Sequence, residues 1–235
     1  MNTSYFIRHT ESKHAQLTSL GIREAVEHGT SSFGKIIASQ DFLLHTPPAK
    51  RFTDTATLMI YPESDSVEMN TKALIDSGTL CLDVGLDYTQ FNNHERDIEK
   101  LFDIQAKKGI LMQDFYIQMS DSFLLRNPKL STYSTISRFM CKKVLDISRP
   151  HSTHANIVVT REFFWPVFRA KIMEIKDSVA AAREFASWHS AHKENNLLAR
   201  LDVNVLIRND DDWVLQDDYG TYHFTTNIIK QVCAT

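Results

Sequence analysis

Apolar residues along the chain fall into short runs, several of which have the length and spacing of β-strands. Residues 3–8 and 41–45 form two such runs, and residues 67–69 predict a further strand. The clearest strand is ANIVVT at residues 155–160, because a short, continuous β-branched run is typical of a buried strand. Residues 200–224 alternate apolar and polar positions around an Asn-Asp turn, which predicts a β-hairpin.

Helical spacing follows three of these strands. Apolar residues between positions 17 and 26 recur at helical intervals, with Thr18 as the expected N-cap. A second helix is predicted to end near residue 60, and a third, which follows the strand at 155–160, is predicted to end near residue 176. Residues 93–147 also have a mainly helical pattern. The sequence therefore alternates strands with helices.

Such alternation predicts an α/β fold in which the central sheet is mostly parallel. We expect a three-layer α/β/α sandwich formed by a single domain over residues 1–235. Residues 83–150 contain no motif that fits this sandwich, so they are predicted to form a helical cap or insertion. Insertions of this kind at the carboxyl rim of a sheet usually carry specificity.

Polar residues follow three of the predicted strands where each strand ends. Arg8 and His9 end the first strand, residues 46–51 with Arg51 follow the second, and Thr160-Arg161-Glu162 end the strand at 155–160. In an open α/β sheet, ligands bind beyond the carboxyl ends of the strands. The three segments are therefore expected to converge on one rim of the sheet.

Arginines gathered around one histidine suit a phosphoryl group. Guanidinium groups match phosphate oxygens in bidentate fashion and remain charged at any working pH. An imidazole that nearby cations keep neutral is a competent nucleophile towards phosphorus, and the same cations offset charge on the transferring group. The rim is thus predicted to bind phosphate.

The motifs around this rim resemble those of the histidine phosphatase (phosphoglycerate mutase-like) superfamily. Its first signature is R-H-G or R-H-A followed by L-T-x-x-G-x-x-Q-A, which is matched by RHT at residues 8–10 and LTSLGIREA at residues 17–25. Its second signature, S-S-P-L-x-R-A-x-Q-T-A, is similar to TPPAKRFTDTA at residues 46–56. Its third, a buried strand ending in V-S-H-G or V-x-H-D, is similar to VVTRE at residues 158–162.

The resemblance implies a role for each of these residues. His9 would be the nucleophile that accepts the phosphoryl group, and Arg8 and Arg51 would bind its oxygens. Arg161 stands where the family has a second histidine, and it would donate hydrogen bonds to phosphate. The catalytic proton donor would be either Glu162, directly after that position, or Glu95 from the insertion. The implied reaction is phosphoryl transfer through phospho-His9, usually to water, which would make the protein a phosphatase.

Two departures from the family pattern leave other functions open. Arg161 replaces the second histidine, and Thr10 replaces the small residue after the nucleophile. One alternative is a non-catalytic phosphate-binding or interaction protein that kept the fold and lost the chemistry. Another is a divergent enzyme that uses the arginine-rich pocket for a different phosphate-dependent reaction. All three functions would retain Arg8, His9 and Arg51.

The composition and charge of the chain indicate which partner and which cellular location to expect. The net charge of −3 over 235 residues gives no basic field for nucleic acid, so the expected partner is a phosphorylated small molecule. Three scattered cysteines, no signal peptide and no long apolar segment predict a cytoplasmic protein that does not bind membranes. The sequence leaves the oligomeric state open.

No cofactor or metal site is predicted. The chain has no glycine-rich nucleotide loop, and His189 and His192 have helical spacing without a third ligand in register. His151 and His154 precede the strand at 155–160, so they should lie at the end of the sheet opposite the predicted site.

Overall fold

The computed structural model of the chain describes residues 1–10, 12–13, 15–86, 133–150, 152–160, 164–176, 203–217 and 220–234. Its strands are β1 (Asn2–Arg8), β2 (Ser12–Lys13), β3 (Gln16–Leu17), β4 (Phe42–Thr46), β5 (Leu80–Leu82), β6 (Ala155–Thr160), β7 (Val203–Asn209), β8 (Asp212–Asp217) and β9 (Gly220–Thr225). Its α-helices are α1 (Ser19–Thr30), α2 (Ser32–Ala38), α3 (Lys50–Ile60), α4 (Val67–Asp76), α5 (Tyr133–Ile147), α6 (Phe164–Lys176) and α7 (Thr226–Ala234). A short 3₁₀-helix spans Val84–Leu86.

Seven strands form one mixed sheet in the order β5-β4-β6-β1-β7-β8-β9. The pairs β5–β4, β4–β6 and β6–β1 are parallel, whereas β7 runs antiparallel to β1 and to β8. The parallel half is built from strands that are each separated by helices in the chain, which is the only way to join parallel neighbours compactly. The prediction of an α/β fold with a largely parallel central sheet, flanked by helices, is confirmed.

One face of the parallel half packs against helices. Ile7, Leu44, Ile157 and Val159 point to this face and form one buried cluster with residues of α1, α2 and α3. Each fully buried aliphatic side chain of this size contributes roughly 1.5–3 kcal/mol relative to an exposed one. This cluster fixes α3 against β4, and α3 carries Arg51 in its first turn.

The other face of the parallel half holds a buried polar network. The side-chain amide of Asn156 donates to Asn2 Oδ1 at 3.1 Å and to Ser4 Oγ at 3.3 Å, and its carbonyl oxygen accepts from His45 Nε2 at 3.2 Å. Ser4 Oγ also lies 2.7 Å from Ser148 Oγ. A slip in strand register would leave these buried groups without partners, so the network favours the observed alignment of β1 with β6.

Most predicted elements are confirmed, and one is wrong. The strands near residues 3–8, 41–45 and 155–160 are β1, β4 and β6, and Thr18 caps α1 by accepting a hydrogen bond from the Gly21 amide. The predicted hairpin is β7–β8, to which β9 adds a third strand. Residues 67–69 form the first turn of α4 rather than a strand, because the Ser66 hydroxyl caps the helix by accepting from the Met69 amide. Strand β5 at Leu80–Leu82 lies in a segment for which the sequence predicted no strand.

The chain divides into two compact units. One comprises Met1–Asp87, Ile147–Glu162 and Ala199–His223, and it contains most of the sheet with α1 to α4. In the other unit, which includes most of α5 together with α6 and α7, α6 contacts α7.

Burial raises the pKa of the Cys141 thiol of α5 above its ordinary value, and all three cysteines are free thiols. Residues 87–132 lie outside the described residues, so the helical cap over 83–150 stays a prediction.

Within the residues that the structure describes, none of the helices is both long enough and apolar enough to cross a membrane.

Gly29 should tolerate no side chain. A Cβ added there would overlap with the carbonyl oxygen of Met59, because α1 crosses α3 at this point. We expect Gly29→Ala to lower the free energy of unfolding by about 1–3 kcal/mol, since the overlap outweighs the roughly 1 kcal/mol that alanine gains in helix propensity. Urea unfolding measures the loss, with Glu27→Ala at an exposed position of α1 as the control. An equal effect of both substitutions would show that the crossing is not tight.

His28 should make stability depend on pH. The ring packs 4.8 Å from the Phe33 ring, and burial lowers the pKa of His28 from 6.5 to about 4. The unfolded chain therefore binds a proton that the folded chain does not between these two values. The free energy of unfolding should be unaffected above pH 6.5 and should fall as the pH drops from 6.5 towards 4. The loss should be on the order of 2 kcal/mol, since solvent screens part of the effect at a half-buried ring.

Urea unfolding of wild type and His28→Gln at pH 7 and pH 5 tests this prediction. Glutamine carries no charge at either pH. The free energy of unfolding of wild type, relative to that of His28→Gln, should therefore be lower at pH 5 than at pH 7. An identical pH slope in the two proteins would contradict it.

Candidate active site

The structure describes three of the predicted site residues. Arg8 is the last residue of β1, His9 follows it, and Arg51 lies in the first turn of α3 after β4. Strand β6 lies between β1 and β4, and the His9 amide donates to the Thr160 carbonyl at 3.1 Å, one residue beyond the end of β1. Arg8, His9 and Arg51 therefore lie at or just beyond the carboxyl ends of strands on either side of β6.

The protonation pattern of the His9 ring follows from one contact. His9 Nδ1 lies 2.7 Å from the carbonyl oxygen of Thr10. A carbonyl oxygen only accepts hydrogen bonds, so Nδ1 must carry the proton that is donated. In the neutral imidazole, the lone pair of the ring then lies on Nε2. This arrangement leaves Nε2 as the nitrogen that can act as a nucleophile or accept a proton.

Phe52 contacts both His9 and Arg51. Its ring meets the His9 ring edge to face at 4.8 Å between centroids, with an interplanar angle of 79°. The guanidinium carbon of Arg51 lies 4.8 Å from the centroid of the same ring. Phe52 is fully buried, so its position is fixed by the core. One rigid aromatic ring thus limits where the imidazole and the guanidinium can lie.

Two buried threonines, Thr10 and Thr55, are hydrogen-bonded to each other next to His9. Thr10 and Thr55 are both fully buried, and their hydroxyl oxygens are 3.1 Å apart. The Thr55 hydroxyl also donates to the Arg51 carbonyl at 2.7 Å. Thr10 was noticed in the sequence only as a departure from the family pattern, and Phe52 and Thr55 only as motif positions. Their contacts with the site were not predicted.

A small hairpin connects this region to α1. Strands β2 and β3 pair with Ser12 opposite Leu17 and Lys13 opposite Gln16. Ala15, in the turn, has φ of 64°, which is the left-handed region that favours glycine. The hairpin leads directly to Thr18, which caps α1.

The remaining predicted site residues lie outside the described residues. These are Arg161, Glu162 and Glu95, and their proposed roles stay predictions. His151, His189 and His192 also lie outside that part of the chain. His154 directly precedes β6 at the end opposite His9, as predicted, and its carbonyl accepts from the Asn2 side chain at 3.2 Å. Across the described ranges, no three His, Cys, Asp or Glu side chains come together in a way that could hold a metal ion.

The sequence matches no family profile and no curated protein. By structure, the chain is similar to a phosphoserine phosphatase from Entamoeba histolytica solved with 3-phosphoglyceric acid, at 12% identity and a TM-score of 0.52, covering 97% of this chain and 100% of that one. It is also similar to YhfR from Bacillus stearothermophilus, at 14% identity and a TM-score of 0.55, covering 93% and 96%.

A third similar structure is a mycobacterial glucosyl-3-phosphoglycerate phosphatase in complex with VO3. It is 10% identical with a TM-score of 0.51, and the match covers 92% of this chain and 98% of that one. The chain therefore has the histidine phosphatase (phosphoglycerate mutase-like) fold. At identity this low, structural similarity establishes the fold alone, and function has to be argued from the site.

Proposed function

We propose that the protein transfers a phosphoryl group from a phosphorylated small molecule through a phosphohistidine on His9, with water as the final acceptor. The contact between His9 Nδ1 and the Thr10 carbonyl carries this proposal, because it fixes the tautomer in which Nε2, and not Nδ1, bears the lone pair of the neutral ring. Arg8 and Arg51 follow strands on either side of β6 and supply the cations that phosphate oxygens need. The net charge of −3 favours a small-molecule substrate over nucleic acid.

The reaction proceeds in two displacements at phosphorus. In the first, the Nε2 lone pair forms a P–N bond while the P–O bond to the leaving group breaks, and a carboxylic acid gives its proton to the leaving oxygen. In the second, the resulting carboxylate takes a proton from water, which attacks phosphorus as the P–N bond breaks. Inorganic phosphate leaves, and histidine and acid return to their starting states. The arginines stabilise the charge on the equatorial oxygens in both steps.

Glu162 and Glu95 are the two candidates for the carboxylic acid. Glu162 follows Arg161 directly after β6, and Glu95 lies in the 83–150 insertion. Each is assigned by resemblance to a different branch of the superfamily. Replacing each with glutamine separates them, because the true donor is needed mainly for substrates whose leaving groups are poor.

The similar structures that are named as phosphatases support a hydrolytic function for this site. Arg161 favours a second candidate, a phosphate-binding protein without turnover. Unlike histidine, arginine remains charged at all working pH values, and we expect it to hold anionic phosphate more tightly in the ground state and the transition state alike. Uniform binding of that kind tightens affinity and leaves turnover unchanged.

We expect His9 to become phosphorylated. Incubation with a reactive phosphoryl donor such as phosphoramidate should give an adduct that is stable in base and labile in acid, located at His9 by mass spectrometry. His9→Asn should abolish this adduct, whereas His154→Asn, at an exposed histidine, should leave it unchanged. Labelling that persists in His9→Asn would rule out the proposed nucleophile.

Arg161 should control phosphate affinity and turnover in opposite ways. Arg161→His should weaken phosphate binding and raise phosphomonoester hydrolysis, while Arg161→Ala should lose about ten- to a hundredfold in affinity, since a charge-assisted contact is worth roughly 1.5–3 kcal/mol. Phosphate titration and a phosphomonoester assay measure both, with Arg23→Ala on the exposed side of α1 as the control. If Arg161→His is slower than a rapid wild type, arginine belongs to the working mechanism. If Arg161→Ala binds phosphate as tightly as wild type, Arg161 does not face the site.

A further inference from the structure

The hydroxyl of Thr55 forms three hydrogen bonds whose directions can be assigned. Thr55 Oγ1 lies 2.7 Å from the Arg51 carbonyl, 3.1 Å from Thr10 Oγ1 and 3.4 Å from the Thr10 amide nitrogen. A threonine hydroxyl has one hydrogen, and the Arg51 carbonyl can only accept, so this hydrogen goes to Arg51. Thr10 must therefore donate both its hydroxyl and its amide hydrogen to Thr55. The donor and both acceptor sites of the Thr55 hydroxyl are occupied.

These bonds join the two halves of the proposed site. The carbonyl of Thr10 holds the Nδ1 proton of His9, and the amide and hydroxyl of the same residue are anchored on Thr55. Thr55 is in turn anchored on the backbone of Arg51. A continuous path therefore runs from the His9 imidazole through Thr10 and Thr55 to the residue that is proposed to bind phosphate.

We propose that Thr55, acting through Thr10, is a positioning residue that sets the orientation of the His9 imidazole relative to Arg51. The kinetic part of this inference rests on the proposed function, whereas the part about the His9 ring does not. In-line attack needs Nε2 and the arginine fork to be placed together, and a displacement of about 1 Å can cost about a hundredfold in rate. A threonine after the nucleophile adds a hydroxyl anchor that a glycine or alanine at that position lacks.

Replacing the Thr55 hydroxyl with a methyl group should remove the hydrogen bonds that hold Thr10 in place. In Thr55→Val, the buried amide and hydroxyl of Thr10 lose their common acceptor, and unpaired buried donors are costly enough to move the segment that carries them. The Thr10 carbonyl belongs to that segment, so the acceptor for His9 Nδ1 moves with it. The imidazole would then lose its fixed tautomer or its orientation.

The protein contains a matched pair of threonines that can serve as the control. Thr57 is fully buried on the same helix, and its hydroxyl lies 2.7 Å from Thr71 Oγ1. Thr71 donates to the Val67 carbonyl at 2.8 Å, just as Thr55 donates to a carbonyl four residues earlier. The Thr57–Thr71 pair joins α3 to α4 and makes none of the contacts to His9. Thr57 is therefore the donor of its pair, as Thr10 is, and Thr57→Val removes the same kind of hydrogen bond as Thr10→Val without touching the proposed path.

The experiment compares Thr55→Val, Thr55→Ser, Thr10→Val, the double variant Thr10→Val/Thr55→Val, and Thr57→Val. Three quantities are measured: urea unfolding, the ¹⁵N chemical shifts of the His9 ring, and the rate of His9 phosphorylation by phosphoramidate. Thr55→Val should slow phosphorylation by about tenfold or more and change the ring shifts, while Thr55→Ser should restore both. Thr57→Val should lose about as much stability as Thr10→Val, since each removes one buried donor, and should leave His9 unchanged.

The double variant tests whether Thr10 and Thr55 act as one unit. Its rate loss should be smaller than the product of the two single losses, because removing the Thr10 hydroxyl also removes a donor that Thr55→Val had left unpaired. If Thr55→Val does not fold, Thr10→Val provides the same comparison, since it removes one bond of the path and keeps the backbone.

The outcomes separate this inference from the proposed function. If the wild-type protein is not phosphorylated on His9, the proposed function fails, and the ring shifts in the unmodified protein still test the positioning role. If Thr55→Val and Thr10→Val leave the ring shifts as in wild type, the positioning role is wrong. It is also wrong if Thr57→Val changes His9 as much as Thr55→Val does, because the effect would then be a general loss of stability.

Discussion

The parallel pairing of β1 with β6 is the constraint on which the rest of the site depends. It places Arg8 opposite Thr160, and the ladder continues one residue further to the amide of His9. The buried network around Asn156 makes this register specific, because a slip by one residue would bury unpaired polar groups. With β1 fixed on one side of β6 and β4 on the other, the segments after them are brought to the same edge of the sheet.

The sequence was sufficient for the elements whose pattern is set by local chemistry. Residues 155–160 could be predicted as a buried strand because their β-branched run has few alternatives, and Thr18 because a capping threonine precedes a helical period. The placement of Arg8 and His9 at a strand end follows from the same reasoning. Residues 67–69 were misassigned because three residues are too few to distinguish strand from helix, and the cap at Ser66 decided between them.

The contacts that shape the proposed site could not be predicted in the same way. Thr10 and Thr55 are 45 residues apart, and nothing in the local pattern of either residue indicates the other. Phe52 adopts its role because α3 turns its ring towards His9, which depends on how that helix packs on β4. Single sequences encode such contacts only through the complete fold. A chemistry for the rim could therefore be proposed from residue types, whereas the orientation of the His9 ring required the structure.

The central position of β1 also has a consequence for how the chain is made. Its residues pair with β6 at a separation of about 150 positions, as between Ser4 and Asn156, and reach β7 at about 200, as between Phe6 and Asn204. At about 5–20 residues per second, a ribosome needs on the order of ten seconds to supply even the nearer partner. During that time β1, the strand that leads to His9, has both edges open to other chains. Partners this far apart in the sequence predict slow folding. The yield of folded protein during expression should therefore depend on chaperones and temperature.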